Sequence, residues 1–342
     1  MNVLRFRCSS AERLAQVLAG DPAVPYRAHR DRIGHTAFDH WAVERSARLL
    51  CGATGAFEVS KGALGWKALP WDSELLGFNA ARIDVLAVSG GYTEARETAS
   101  LLIASAVEEC AASDVQHVVA RIDASSLAHS HALAGNGFEL IDGIQTFALK
   151  RTEARPSGAG SPQSLPPATK EPPRPAGLWF KGAPPDTRIA SAADAGMIAD
   201  IARSSFVHDR FHNDVTVGTD AANRLHEAWA RNSVSGEAAD AVLLATTEDA
   251  VDAFVTVKLD LGSAAALGLR FATIPLVATG LVVRGKGAAR RATDAALAWC
   301  WSQNADVVEV GTQISNVPAT RLYQAAGFRT TAISLTYRKW ID

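Results

Sequence analysis

TIPLVATGLVVRGKGAARRATDAALAWCW, residues 273–301, is the stretch that decides the fold of this chain. It opens with apolar, largely β-branched residues, Arg284-Gly285-Lys286-Gly287 interrupts that run, and an alanine-rich pattern of helical spacing follows at once. This order predicts a strand that reaches residues 281–283, then a glycine turn, then a helix. The helix would bury one stripe against a sheet, formed by Ala288, Ala292, Ala295, Ala296 and Trp299.

Such a junction is suited to binding an anion. The first N–H groups of a helix have no partner within the helix, and the aligned peptide dipoles place partial positive charge there. Gly285 and Gly287 carry no Cβ atoms, so phosphates can approach the backbone closely. The spacing excludes G-x-x-x-x-G-K-[ST] and supplies only half of G-x-G-x-x-G. A pyrophosphate is the expected guest, with added charge from Lys286, Arg290 and Arg291 or with those side chains simply facing solvent.

A second motif follows the helix. Residues 307–312 have the pattern of a strand, and then comes Asn316-x-x-Ala319-x-x-x-Tyr323-x-x-x-Gly327-Phe328. This motif and Arg284-x-x-Gly287-x-Ala289 resemble, in the right order, the two acyl-CoA elements of the GNAT acyltransferase superfamily. The resemblance implies that acyl-CoA is bound by a set of loop and helix residues: Leu281, Val282, Val283, Arg284, Gly285, Lys286, Gly287, Ala288, Ala289, Asn316 and Ala319.

Two side chains in the second motif are candidates for direct roles. Tyr323 is the expected proton donor, because a phenol is close enough in acidity to a thiol to protonate the leaving thiolate. Its alternative role is a buried tyrosine with a satisfied hydroxyl. Asn316 resembles the family asparagine that hydrogen-bonds the pantetheine arm, and it can also cap a helix. Oxyanion donors are expected among backbone N–H groups at 277–281, if that strand splays from the strand at Val307.

The segment FVHDRFHND, residues 206–214, is the expected acceptor-binding region. Aromatic faces and a cation suit a sugar or a nucleotide, and the candidate contacts are Phe206, His208, Arg210, Phe211 and His212. No general base can be identified among the histidines and aspartates of this segment, and a water relay serves equally well.

The chain resembles, more narrowly, the dTDP-fucosamine N-acetyltransferase family. The resemblance rests on LPWDSELLGF (69–78), FVHDRFHND, the glycine loop, VGTQISNVPATRLYQAAGF (310–328) and SLTYRKW (334–340). It implies acetyl-CoA as the donor and a nucleotide-linked aminodeoxysugar as the acceptor, with direct transfer and Tyr323 as general acid. The alternatives are another small-molecule or protein amine as acceptor, or a non-catalytic acyl-CoA-binding protein.

The expected fold class is α/β, with a mixed, twisted sheet flanked by helices. The catalytic domain would span 188–342, and a degenerate copy of its element order would span 66–151, where Ser126 and Leu133 stand in place of Asn316 and Tyr323. Residues 152–187 hold nine of the 14 prolines and predict a connector. Residues 1–65 are expected to be an N-terminal extension without chemistry.

Composition excludes several classes of function. A net charge of −2 with 20% charged residues leaves no basic surface for nucleic acid. Four scattered cysteines without metal-ligand spacing predict reduced thiols and no metal. The sequence shows neither a signal peptide nor a membrane span, so a cytoplasmic chain without membrane partners is expected. The sequence leaves the oligomeric state open, and a homodimer is one alternative.

Overall fold

The computed structural model describes residues 2–21, 23–152, 182–248 and 250–341. The chain divides into two compact units. Unit 1 contains Met1–Ile144 and Ala332–Asp342, and unit 2 contains Gln145–Thr331. Most of the predicted connector, residues 153–181, lies outside the described residues.

Helices and strands alternate along most of the chain. The α-helices are α1 (Ala15–Ala19), α2 (Arg30–Ile33), α3 (His35–Cys51), α4 (Pro70–Leu76), α5 (Tyr92–Ala112), α6 (Leu127–Gly135), α7 (Ala195–Ser205), α8 (Arg210–Asn213), α9 (Thr219–Val234), α10 (Leu261–Leu267), α11 (Ala288–Ser302) and α12 (Val317–Ala325). The strands are β1 (Leu4–Arg5), β2 (Gly55–Val59), β3 (Gly62–Ala68), β4 (Ala80–Val88), β5 (His117–Asp123), β6 (Glu139–Lys150), β7 (Thr187–Ile189), β8 (Ala241–Thr247), β9 (Ala250–Asp260), β10 (Phe271–Ile274), β11 (Val277–Thr279), β12 (Val307–Gln313) and β13 (Arg329–Trp340).

Unit 1 is a sheet with a helical layer on each face. Its strand order is β1-β2-β3-β4-β5, and residues 334–340 of β13 complete it by antiparallel pairing with β5. Side chains alternate between the faces, as the pleat requires. Leu64 and Leu86 pack with α5 in one buried cluster, while Ala63 and Val85 pack with α1 and α3 in another. The sheet is therefore buried on both sides.

Unit 2 repeats this layered arrangement. The run β7-β8-β9-β10-β12 is joined by residues of β6, and β10 and β12 are parallel. The predicted alanine stripe of α11 packs on one sheet face with Leu243 and Val255. The opposite face, with Leu244 and Phe254, is covered by α7 and α9. The mixed α/β sheet with flanking helices that the sequence predicted is confirmed.

Several local expectations differ from the structure. Residues 281–283 form a 3-10 turn and not a strand, since pairing of that chain segment stops at Thr279. β2 and residues 62–65 of β3 lie inside the stretch expected to be an extension, and both strands are integral to the sheet of unit 1. The predicted domains are consecutive stretches of the chain. In the structure, residues 332–342 instead belong to unit 1, and residues 145–150 belong to unit 2.

The cysteines give a mixed outcome. Cys110 and Cys300 are free and buried, whereas Cys8 and Cys51 form a disulfide, with their Cα atoms 5.6 Å apart. The expectation of four reduced thiols is wrong for that pair, because α3 brings its last residue beside the turn at Cys8–Ser10, 43 positions earlier in the chain. Among the described helices, none is long and apolar enough to span a membrane.

Asp21 gives unit 1 a measurable pH dependence. Burial raises the pKa of its carboxyl from 3.8 to about 6. The folded state therefore holds this proton more tightly than the unfolded state, so the associated stability is complete below pH 3.8 and is lost as the pH rises to about 6. Asp21→Asn removes the titration and keeps an acceptor oxygen for the Ala23 N–H.

We expect the Asp21→Asn variant to gain stability relative to the native chain by about 2 kcal/mol between these two pH limits. Urea denaturation of both proteins across the range measures the difference. Two stability curves that stay parallel would contradict a raised pKa at Asp21.

Candidate active site

The central strands of unit 2 separate partway along their length. β10 pairs in parallel with β12 from Phe271 opposite Val307 to Ile274 opposite Val310. Pro275 follows, and it has no N–H to continue a ladder. β11 pairs with β9, and among the described residues no ladder joins it to β12, which continues to Gln313. The parallel sheet is therefore open between β11 and the end of β12.

The β11 side of this opening leads into the glycine loop. The Gly280 N–H donates to the Asp252 carbonyl at 2.8 Å, and a 3-10 turn over Leu281–Val283 follows. Gly285 and Gly287 have φ of 77° and 83°, left-handed values that favour glycine. A Cβ atom at Gly285 would meet nothing within 4 Å, so the loop backbone is open to an approaching group.

The loop ends at the N-terminus of α11. Gly287 is the N-cap residue and supplies no side-chain cap, so the first amides of a 15-residue helix lack that partner. Two of the predicted cations are already engaged in unit 2. Arg290 binds Asp294 and the Ala325 carbonyl, and Arg291 binds Asp252. Arg284 and Lys286 remain as exposed charges beside the helix end.

Tyr323 lies on α12 with only 3% of its surface exposed. Its ring packs against Phe147 and Phe328, with centroids 5.7 and 5.9 Å away. The hydroxyl has no hydrogen-bond partner within the described part of the chain. Burial raises the pKa of this phenol well above its ordinary value, so it is protonated at neutral pH.

Asn316 caps α12. Its Oδ1 accepts the Ala319 N–H at 3.2 Å, which leaves the Nδ2 donors free of that contact. Large apolar side chains are exposed on the segments that follow the two separating strands: Leu281 and Val282 after β11, Ile314 and Val317 after β12. Exposed apolar side chains next to accessible backbone groups are suited to a narrow ligand that has both apolar and polar parts.

The predicted acceptor segment folds around a buried polar cluster. Asp209 caps the short helix α8 through Oδ1, which accepts the N–H groups of Phe211 and His212. Its Oδ2 lies 2.6 Å from His212 Nδ1 and 3.7 Å from His226 Nε2. Sequence reasoning missed His226, which lies on α9, because no local spacing links it to residues 206–214.

The five predicted acceptor residues do not share one surface. Phe211 and the His212 side chain are buried, and His208 is exposed. Phe206 stacks on His226 with ring centroids 4.5 Å apart, and the Arg210 guanidinium lies 4.1 Å above the Phe211 ring. Of the five, His208 is exposed, and Phe206 and Arg210 are half-buried.

The buried cluster shifts both of its histidines. The hydrogen bond with Asp209 raises the pKa of His212, while burial lowers the pKa of His226. Burial alone would raise the pKa of Asp209, but the His212 hydrogen bond and the charges of both histidines bring it below its ordinary value. The three side chains therefore each shift the pKa of another member of the cluster.

Unit 1 keeps the framework of this site without its polar groups. Leu133, at the position that matches Tyr323, is fully buried on α6. Ser126, which matches Asn316, precedes α6 and forms no side-chain cap bond. The first turn of α5 carries Glu94, paired with Lys61, where unit 2 has its cationic loop. A carboxylate at a helix N-terminus opposes anion binding there.

The open parallel sheet, the glycine loop and the uncapped helix all lie in the part of the chain that matches a known family. Residues 239–328 match the acetyltransferase (GNAT) family. The match includes both separating strands, the loop and Tyr323.

Over 162 residues the chain is 26% identical to the spore coat polysaccharide biosynthesis protein SpsD of Bacillus subtilis (strain 168). The alignment covers 47% of this chain and 51% of that protein, so the chain spans about half the length of this curated relative.

Two solved structures are similar to nearly the whole chain. A GCN5-related N-acetyltransferase from Sphaerobacter thermophilus has a TM-score of 0.56, with 99% of this chain and 95% of that chain covered. A tandem GNAT protein from the clavulanic acid biosynthesis pathway has a TM-score of 0.52, covering 99% and 98%. Both are 13% identical to this chain, so they establish its fold alone.

Proposed function

We propose that this protein is an acetyl-CoA-dependent N-acetyltransferase that acts on the amino group of a nucleotide-linked aminodeoxysugar. The observation that carries the proposal is the opening between β11 and β12, with an uncapped helix N-terminus after one strand and Tyr323 after the other. These are the groups needed to hold a thioester, stabilise its charge and protonate its leaving group.

The glycine loop and the start of α11 would hold the donor. Backbone N–H groups from Arg284 to Arg290 would bind the diphosphate, with Arg284 and Lys286 adding positive charge. The free backbone edge of β11 is suited to hydrogen-bond the amide groups of the pantetheine arm, as a neighbouring strand would. The Asn316 amide would donate to the same arm while its Oδ1 continues to cap α12.

Transfer requires three events at the thioester. The neutral amine attacks the carbonyl carbon, N–H groups near β11 stabilise the oxyanion, and the C–S bond then breaks. Tyr323 would give its proton to the departing thiolate sulfur, the attacking nitrogen would lose a proton to a water relay, and a proton from that relay would restore the phenol. Burial keeps the phenol protonated, so the proton is present on Tyr323 when the thiolate leaves.

The acceptor assignment rests on two observations. The Ser205 hydroxyl donates to the Thr279 carbonyl at 3.1 Å, which fixes the segment after α7 beside the end of β11. Phe206, His208 and Arg210 then offer an aromatic face and polar groups close to the proposed thioester. The Bacillus relative is a spore coat polysaccharide biosynthesis protein, which favours a sugar acceptor here.

The first experiment is release of CoA from acetyl-CoA in the presence of dTDP- and UDP-linked amino sugars, with simple amines and peptides as parallel acceptors. Rapid CoA release with one nucleotide sugar is the expected result. Turnover with a simple amine or a peptide alone would replace the acceptor class. Acetyl-CoA binding without turnover on any acceptor would favour a non-catalytic acyl-CoA-binding protein.

Tyr323→Phe tests the proton donor. We expect kcat to fall by about 10²–10⁴-fold, because the thiolate must leave unprotonated, while acetyl-CoA affinity stays unchanged. The matched control is Tyr337→Phe, which removes a buried hydroxyl bonded to Ser130 in unit 1. Equal kcat values for Tyr323→Phe and the native chain across the pH range would eliminate Tyr323 as the acid.

Gly287→Ala tests the anion site. An added Cβ at φ 83° costs about 1–2 kcal/mol of backbone strain and projects from the N-cap of α11. We expect acetyl-CoA affinity, measured by calorimetry, to fall by at least about 10-fold, which corresponds to about 1.4 kcal/mol. Gly268→Ala, at the C-cap of α10 with φ 65°, carries the same kind of strain and is the control. Equal losses of affinity in both variants would assign the effect to general strain.

A further inference from the structure

We propose that Asp209, His212 and His226 form a binding site for a divalent transition-metal ion of the zinc class. One ligand atom from each residue, Asp209 Oδ2, His212 Nδ1 and His226 Nε2, lies within 4.8 Å of the other two. Imidazole nitrogens with one carboxylate oxygen are a ligand set that suits zinc, iron, nickel or cobalt. Sequence spacing gave no sign of this site, since α9 supplies the third ligand.

The separations fit coordination after a small adjustment. Ligands bound at about 2.0–2.2 Å in a tetrahedral arrangement are about 3.3 Å from one another. The two measured edges, 2.6 Å to His212 and 3.7 Å to His226, lie on either side of that value. The short edge is a hydrogen bond, so the cation must displace the proton that His212 and Asp209 share.

The other polar atom of each ligand is already held in place. His226 donates its Nδ1–H to the Ala222 carbonyl at 2.9 Å, which directs Nε2 toward the cluster. His212 Nε2 donates to Asn223 Oδ1 at 3.0 Å, which directs Nδ1 the same way. Asp209 Oδ1 accepts two backbone N–H groups, leaving Oδ2 inside. Metal-binding histidines are held by outer partners of this kind.

The site is buried and assembled from two helices. The side chains of Asp209, His212 and His226 are 12%, 7% and 4% exposed. His226, its partner Ala222 and Asn223, the partner of His212, lie on one face of α9, while α8 and its N-cap supply the other two ligands. Arg210, whose charge lowers the pKa of His226, is the group that opposes a cation here. The carboxylate of Asp209 offsets it.

An ion at this position would organise the acceptor segment and take no direct part in acetyl transfer. It would link α8 to α9, and Phe206, stacked on His226, would be fixed with them. Three protein ligands leave at least one position for water. The inference is independent of the proposed activity, because metal binding is measured without any acyl donor or acceptor.

The test is metal binding by the full chain after treatment with a chelator. Calorimetric titration with zinc sulfate is expected to show one ion bound per chain. Elemental analysis should still find that ion in the protein after dialysis. Cobalt(II) should give visible d–d absorption bands typical of nitrogen and oxygen ligands. Zinc should also raise the melting temperature of the native chain, since the ion binds only the folded state.

Variants separate this site from adventitious binding. We expect His226→Phe and Asp209→Asn to lower zinc affinity by more than about 100-fold, and Asn223→Ala, which keeps all three ligands, by about 10–100-fold. His208→Ala, an exposed histidine of the same segment, should bind zinc as the native chain does. Circular dichroism checks that each variant is folded. If His226→Phe does not fold, the zinc affinity of Asp209→Asn is the test.

Two results would overturn the proposal. One is a folded native chain that takes up no stoichiometric zinc or cobalt at neutral pH. The other is a folded His226→Phe or Asp209→Asn variant with native affinity, which would assign the binding to other residues.

Discussion

The organisation of unit 2 depends on the loss of one hydrogen-bond ladder. β10 and β12 pair as ordinary parallel strands until Ile274, where Pro275 removes the next backbone donor. The backbone groups after Pro275 are hydrogen-bonded to β9, on the other side of the segment. The Thr256 hydroxyl accepts the Leu276 N–H at 2.9 Å, and the Thr256 N–H donates to the Leu276 carbonyl. β11 is therefore held by β9 on one edge, and no described strand pairs with its other edge, where we propose that the extended donor binds.

Packing then decides where the helix dipole acts. The buried stripe of α11 consists of small residues, with Ala292, Ala295 and Ala296 fully inaccessible, so the helix lies close to the sheet. Its N-terminus follows the loop after β11, and Arg290 binds the last turn of α12 through the Ala325 carbonyl. The helix that carries the proposed anion site is thus fixed to the helix that carries Tyr323. A larger side chain in the stripe would change the geometry of both.

The polar cluster on α8 and α9 is the second constraint. Buried polar groups are costly unless each finds a partner, and here two histidines, an aspartate and an asparagine satisfy one another. That arrangement turns Phe211 and His212 inward and leaves Phe206, His208 and Arg210 accessible. A segment whose composition suggested a uniform binding surface is therefore half core and half surface.

The sequence by itself determined the mixed α/β class, the order of strand, glycine loop and helix, and the positions of Asn316 and Tyr323, because these depend on local periodicity and on residues such as glycine and asparagine with specific backbone roles. It did not determine that residues 145–150 of β6 fall in unit 2 and residues 332–340 of β13 in unit 1. Nor did it determine the Cys8–Cys51 disulfide or the contact between His226 and Asp209. Each of these depends on contacts between residues far apart in the chain. Hydrophobic spacing sets which face of an element is buried, but only the packed structure decides which distant side chain meets it.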